Sequence, residues 1–303
     1  MNLNFTYRTD QSGKSWRLAT LSLLLLGIAW LKFGHHELWK DEWQAWLMAR
    51  DMSWRELLGS LYYEGHPALW YVYLKLWSLL QFVPDTVLIQ SAHLLLVGAA
   101  FAVVLFRFGM PLWLKAAFLL GYYPLFEYGV VNRGYAWVLL LSFLLVEQLK
   151  KAAPKPWVLG GLFFLLCQTE VYGVLIGGGL FFYFWLEKGL KPALKNQGFW
   201  SGFAGMLLGL LVFVISVYPR ASQEELESAY LSNPLSGESL GLAFQGTLAN
   251  TYWLGSIPDT NVFGLSVLGL ILSTLLLALF VVLFWPQKRS LWTFLVFQAV
   301  FFL

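Results

Sequence analysis

Six of the chain's 17 acidic residues crowd into the stretch from His35 to Pro67: Glu37, Asp41, Glu42, Asp51, Glu56 and Glu64. The adjacent pair Asp41-Glu42 has two readings. It is either two solvated charges on a surface helix, or a carboxylate acting as general base for an acceptor hydroxyl or as a metal ligand. Glu64 and His66 stand two residues apart just before Pro67. Such a pair could share a divalent metal, with Asp41 as a further ligand, or His66 could simply cap the helix that follows. His35-His36 reads as an interfacial pair and His93 as a hydrogen-bonded packing residue. Arg133, set among Tyr122, Tyr123, Tyr128 and Tyr135, offers a planar fork of donors suited to phosphate. Its alternatives are an ion pair with Glu127 or an extended side chain reaching water. Glu170 interrupts an apolar run and is either a buried functional carboxylate or a solvated helix end. Lys75 and Lys115 read as snorkelling or structurally paired.

These groups are scattered through a chain that is 58% hydrophobic and 12% charged, with a mean hydropathy of +0.63. Soluble domains carry about twice that charged fraction, so lipid is the expected solvent for most of the sequence. Basic residues come in twos and threes between apolar runs and form no nucleic-acid patch. The single cysteine, Cys167, excludes a disulfide framework and a cysteine metal site.

The expected class is therefore all-α, a polytopic membrane protein with one transmembrane domain over the whole chain. Apolar runs predict spans at Leu18–Phe33, Ala68–Val83, Val87–Phe106, Leu112–Phe126, Tyr135–Leu149, Trp157–Cys167, Tyr172–Leu186, Phe199–Tyr218, Val262–Trp285 and from Leu291 onward. The first, preceded by Arg8, Lys14 and Arg17, reads as an uncleaved helix. The last stops in mid-run at Leu303 and reads as continuing into a longer chain. The N-terminus, the Lys150-Lys151-Lys155 cluster, the Lys188-Lys191-Lys195 cluster and Lys288-Arg289 are expected inside. Asn132-Arg133, Gln168 to Glu170, the acidic loop and the segment from Pro219 to Asn261 are then outside. Parity fails by one crossing, so one run between Ala68 and Phe126 is expected not to cross, as a re-entrant or interfacial helix. Within the acidic loop, Trp39, Trp43 and Trp46 at helical spacing, and Ser53 three residues before Glu56, predict two short helices lying on the membrane surface.

The order of these features resembles the GT-C membrane glycosyltransferases, in particular the protein O-mannosyltransferases and the lipid A aminoarabinose transferase. The likeness runs over about Leu18 to Leu186. It rests on Asp41-Glu42 early in the first outer loop and on Glu64-Gly65-His66-Pro67-Ala68-Leu69-Trp70 opening a helix. The stretch Tyr123-Pro124-Leu125-Phe126-Glu127-Tyr128 through Asn132-Arg133-Gly134-Tyr135 and the segment Thr169-Glu170-Val171-Tyr172-Gly173 complete it. Ala68 stands where the family has a second proline, and Glu170 where it commonly has histidine.

The resemblance implies inverting transfer of a sugar from a polyprenyl-phosphate-linked donor to an acceptor whose nature stays open, outside a bacterial inner membrane. Asp41 would be the catalytic carboxylate with Glu42 supporting it. Arg133, Tyr135, Glu64, His66 and Glu170 would bind substrate, and Asp41, Glu64 and His66 could hold a divalent metal, on which relatives differ. Donor and membrane lipid are the expected partners, nucleic acid is not. A transporter or lipid flippase, or an inactive homologue or scaffold, is the alternative.

Overall fold

The computed structural model describes residues 11–218 apart from Gln81 and Ala152, and every regular element among them is helical. The expected spans at Val262–Trp285 and from Leu291, and the segment 219–261, lie outside the described residues. Helix α1 covers Gln11–His35, α2 Lys40–Asp51, α3 Trp54–Glu64, α4 Ala68–Trp77 and α5 Asp85–Arg107. Next come α6 at Leu112–Leu119, one π turn at Tyr123–Glu127, α7 at Tyr135–Leu149 and α8 at Pro156–Cys167. The last described elements are α9 at Val171–Lys188, the short α10 at Leu190–Ala193 and α11 at Gln197–Val217.

Among the described residues three helices are long and apolar enough to cross a membrane: Gly13–His35 within α1, α5 and α11. Helices α7 and α8 are apolar but shorter. At 12 residues, α8 extends roughly 18 Å against a hydrocarbon core of about 30 Å.

The two surface helices of the acidic loop begin as their sequences dictate. Glu42, third residue of α2, turns back to accept the Trp39 backbone N–H at 2.6 Å. Ser53 and Glu56 form a reciprocal capping box at the start of α3. Gly65, at φ 66° and ψ 13°, ends α3 in the left-handed region that glycine alone enters without a Cβ penalty. Pro67 then precedes α4, where its missing N–H costs nothing.

Helix α4 ends beside the acidic loop from which it starts. Lys75 on α4 donates to the backbone carbonyls of Arg50 and Met52, at 3.3 and 2.6 Å, between α2 and α3. Arg50 also pairs with Asp85 at the start of α5. Both ties hold the C-terminal side of α4 to the acidic loop. Helix α5 starts at that end, where Gln90 donates to the Lys32 carbonyl at 3.0 Å. It finishes at the other, where Arg107 meets Glu147 at 3.6 Å and Lys150 lies over the Phe108 ring.

The tightest helix contact is between α8 and α11. A Cβ on Gly205 would stand 2.0 Å from the Gly160 carbonyl oxygen, and one on Gly209 2.9 Å from Cys167 Cβ. Lipid gives helices little hydrophobic reason to associate, so close approach at small residues supplies van der Waals contact instead. Gln168, just past α8, adds a hydrogen bond to the Gly209 carbonyl at 2.8 Å, which seats the turn leading to Glu170.

Candidate functional site

Four separate segments meet at the end of the helix array that carries the acidic loop. They enclose a cavity of about 220 Å³ lined by Asp41, Glu64, His66, Tyr71, Arg133 and Glu170, with Gln44, Tyr63, Trp70 and Gly134 among its other walls. Three carboxylates and one guanidinium therefore face a single small volume.

Glu170 is nearly buried and binds His66 Nδ1 at 2.7 Å. A carboxylate accepts, so Nδ1 carries the proton. In the neutral ring Nε2 is then an acceptor, and it lies 3.2 Å from the Arg133 Nη2 donor. The other end of the fork, Nη1, is 3.6 Å from the Asp41 carboxylate. Below it, the guanidinium carbon is 5.5 Å from the Tyr135 ring centroid, a cation–π distance. Tyr135 continues a row of aromatic rings toward Tyr128 and Tyr172. Arg133 pairs with Asp41 and His66, whereas Glu127 accepts from the Tyr122 hydroxyl at 3.5 Å.

On the opposite wall Glu64 accepts from Gln44 Nε2 at 2.7 Å and from the Tyr71 hydroxyl at 3.3 Å. Burial, then the charges of Glu64 and Glu170, push the Tyr71 phenol well above its usual range, so it stays a donor. The Leu69 N–H bonds to the Gln168 carbonyl at 3.2 Å, joining the start of α4 to the turn that presents Glu170. Gly134 fits against Glu170: a Cβ there would stand 2.8 Å from Oε1.

Glu42 does not line the cavity. It is fully buried, and its two oxygens take up donors from three residues. Besides the Trp39 N–H, His36 Nε2 lies at 2.9 Å, and Asn132 donates both its backbone N–H at 2.5 Å and its side-chain Nδ2 at 2.7 Å. Asn132 Oδ1 in turn accepts from Lys32 Nζ at 2.5 Å. Lys32 is also fully buried, and its other contacts are the Val130 carbonyl at 2.8 Å and His93 Nδ1 at 3.1 Å. With His93 in the tautomer whose Nδ1 accepts, the Lys32 amine has three acceptors around it.

Asp41, Glu64, His66, Arg133 and Glu170 are thus gathered in one cavity, Tyr135 supports Arg133, and Glu42 lies behind the wall. Gln44, Tyr63 and Tyr71 are lining residues that the motifs do not single out, and Lys32 is a buried charge that reads in sequence as the fringe of an apolar run. The trio Asp41, Glu64 and His66 does not form a metal cage. Glu64 is engaged by Gln44 and Tyr71, and His66 Nε2 faces a cation. Among the described residues no group of three His, Cys, Asp or Glu side chains converges to hold a metal ion.

Lys75 and Lys115 bond to backbone carbonyls, and His35 lies 3.2 Å from the Trp30 carbonyl. No family model matches the chain, and neither does any curated protein or solved structure.

Proposed function

We propose that the chain is a polytopic GT-C-type glycosyltransferase that transfers a sugar from a polyprenyl-phosphate-linked donor to an acceptor outside a bacterial inner membrane. The observation that carries this reading is the convergence of Asp41, His66 and Arg133 on one small cavity. That cavity lies at the end of the helix array opposite Arg107, Lys150 and Lys151. Basic residues of that kind mark the cytoplasmic side, and in this reading the cavity faces the other way, toward the phosphate of a lipid-linked substrate.

In this reading Asp41 accepts the proton of the acceptor hydroxyl as its oxygen bonds to the sugar's anomeric carbon. The bond from that carbon to the phosphate oxygen breaks on the far side, with inversion, and the lipid phosphate leaves with the electron pair. Arg133, already held between Asp41 and His66, supplies fixed positive charge where the leaving group becomes more negative, the place where preorganised charge lowers a barrier most. Glu170 keeps His66 in the tautomer that accepts from Arg133. Glu64, with Gln44 and Tyr71, offers acceptors and donors to sugar hydroxyls. The residues do not fit a metal, and no step needs one.

The test is transfer by the purified, lipid-reconstituted protein from polyprenyl-phosphate sugars of several kinds to a panel of lipid and peptide acceptors. Release of polyprenyl phosphate that depends on protein and on Asp41 supports the reading. Absence of release across the panel, with donor binding also absent, sinks it.

A further inference from the structure

Lys32 is buried at the end of α1 and contacts no cavity residue, yet it is bonded to the chain segment that delivers Arg133. We propose that Lys32 is a positioning residue of the site, acting through Asn132 and Glu42 to fix Arg133 against Asp41. The proposal rests on the reading of Arg133 as the phosphate-binding residue.

The Asn132 amide has only one orientation that satisfies both neighbours. Its oxygen accepts from Lys32 at 2.5 Å and its nitrogen donates to Glu42 at 2.7 Å. Lysine has no acceptor and a carboxylate no donor, so a flipped amide would oppose like dipoles at both contacts. The same Glu42 oxygen takes the Asn132 backbone N–H at 2.5 Å, and Lys32 takes the Val130 carbonyl at 2.8 Å. The backbone from 130 to 132 is therefore gripped from both sides, by the buried Lys32 amine and the buried Glu42 carboxylate. Arg133 is the next residue, and the following Gly134 is confined by Glu170.

The charges are interdependent. Each lies fully buried, and removing one partner of a buried pair leaves the other uncompensated, which is far more damaging than removing both. Without Lys32, Glu42 keeps its donors but loses the cation beyond Asn132. The Asn132 amide also loses the contact that orients it, and the turn carrying Arg133 is free to rotate. A lysine that merely filled space would be replaceable by a methionine of similar length and apolar stem.

The experiment compares wild type, Lys32→Met, Lys32→Gln and the double variant Lys32→Met with Glu42→Gln, all full chain in lipid nanodiscs. Backbone hydrogen exchange is read over residues 128–136 and, as an internal control, over α8 and α11. Affinity for a short polyprenyl phosphate is measured in parallel.

The expected result is at least tenfold faster exchange over residues 128–136 in Lys32→Met with the control helices unchanged, and at least tenfold weaker lipid-phosphate binding. The double variant should recover only part of the protection, because it buries no unpaired charge but Asn132 still lacks its donor at position 32. Lys32→Gln, which can still donate to Asn132, should lie between wild type and Lys32→Met. Unchanged exchange over 128–136 in Lys32→Met overturns the proposal. So does an equal rise over α8 and α11, which would make Lys32 general packing. Local loosening without any lipid-phosphate binding by the wild type would leave the positioning role intact and remove the assigned function.

Discussion

Asp41 and Glu42 are consecutive residues that grip opposite sides of one turn: Glu42 holds Asn132 from within, while Asp41 faces Arg133 across the cavity. On the first turn of α2 the two side chains diverge by about 100°, the angle per residue implied by 3.6 residues per turn. That angle separates a buried anchor from a more exposed group free to meet substrate. The next two residues of the partner segment, Asn132 and Arg133, divide in the same way.

The first prediction follows from this division. Asp41→Asn is expected to remove transfer while leaving thermal unfolding in detergent within about 1 kcal/mol of wild type, as for an exposed ion pair. Glu42→Gln is expected to lower stability as well as activity, because it strips a buried charge from a network built around it. Equal melting curves for the two variants would contradict the division.

Arg133→Ala is expected to stay folded and to weaken binding of lipid phosphate by about 1.5–3 kcal/mol, the range for hydrogen bonds to charged groups, or roughly ten- to a hundred-fold. Adding Glu127→Gln should not restore it, because the partners of Arg133 are Asp41 and His66. Titration of the purified variants with polyprenyl phosphate decides the matter, and undiminished binding by Arg133→Ala would end the phosphate assignment.

At Gly134 a single methyl group is expected to be costly. The added Cβ would crowd Glu170 Oε1 at 2.8 Å, pushing the carboxylate off His66. Gly134→Ala should therefore reduce turnover at least tenfold. Shortening the crowded side chain with Glu170→Asp in the same chain should recover part of it. A fully active Gly134→Ala enzyme would show that the Glu170–His66 contact is dispensable.

The return of α4 can be checked by labelling. Asn132 and Thr169 are buried, so reporters belong at Tyr63 and Phe82, which are 77% and 84% exposed. In a Cys167→Ser background, cysteines at both positions should react with an impermeant thiol reagent from outside, and one at Lys151 should not. Labelling of Phe82→Cys from the inside alone would mean that α4 crosses.

Much of the fold was legible because lipid-facing helices announce themselves by composition. The α7 bounds match the apolar run from Tyr135 to Leu149, and the Ser53-Glu56 pair marks the start of α3 through its own local hydrogen bonds. The parity of basic clusters leads to the expectation that one run between Ala68 and Phe126 does not cross, which the labelling above tests. Which run it is could not be read, since Ala68–Val83 is as apolar as a span. Lys75 and Arg50 tie its C-terminal side to the acidic loop, and such contacts leave no periodic trace. The motifs contain Asp41, Glu64, His66, Trp70, Arg133, Gly134 and Glu170 of the cavity lining but not Gln44 and Tyr71, whose roles exist only once Glu64 is placed between them. Lys32 was missed for the same reason: its partners are 61 and 100 residues away in the chain.

Those separations also set an order of events during biosynthesis. Lys32 and Glu42 leave the ribosome long before Asn132, which follows Glu42 by 90 residues. Until Asn132 arrives, Glu42 has only its local partners His36 and the Trp39 N–H, and Lys32 lacks the amide that links it to Glu42. The bridge from Lys32 to Glu42 can therefore close only after residue 132 has been made. In chains arrested at increasing lengths, Lys32 should lose its reactivity toward a small amine reagent only after Asn132 has emerged. Loss of reactivity in shorter chains would mean that something else buries the lysine first.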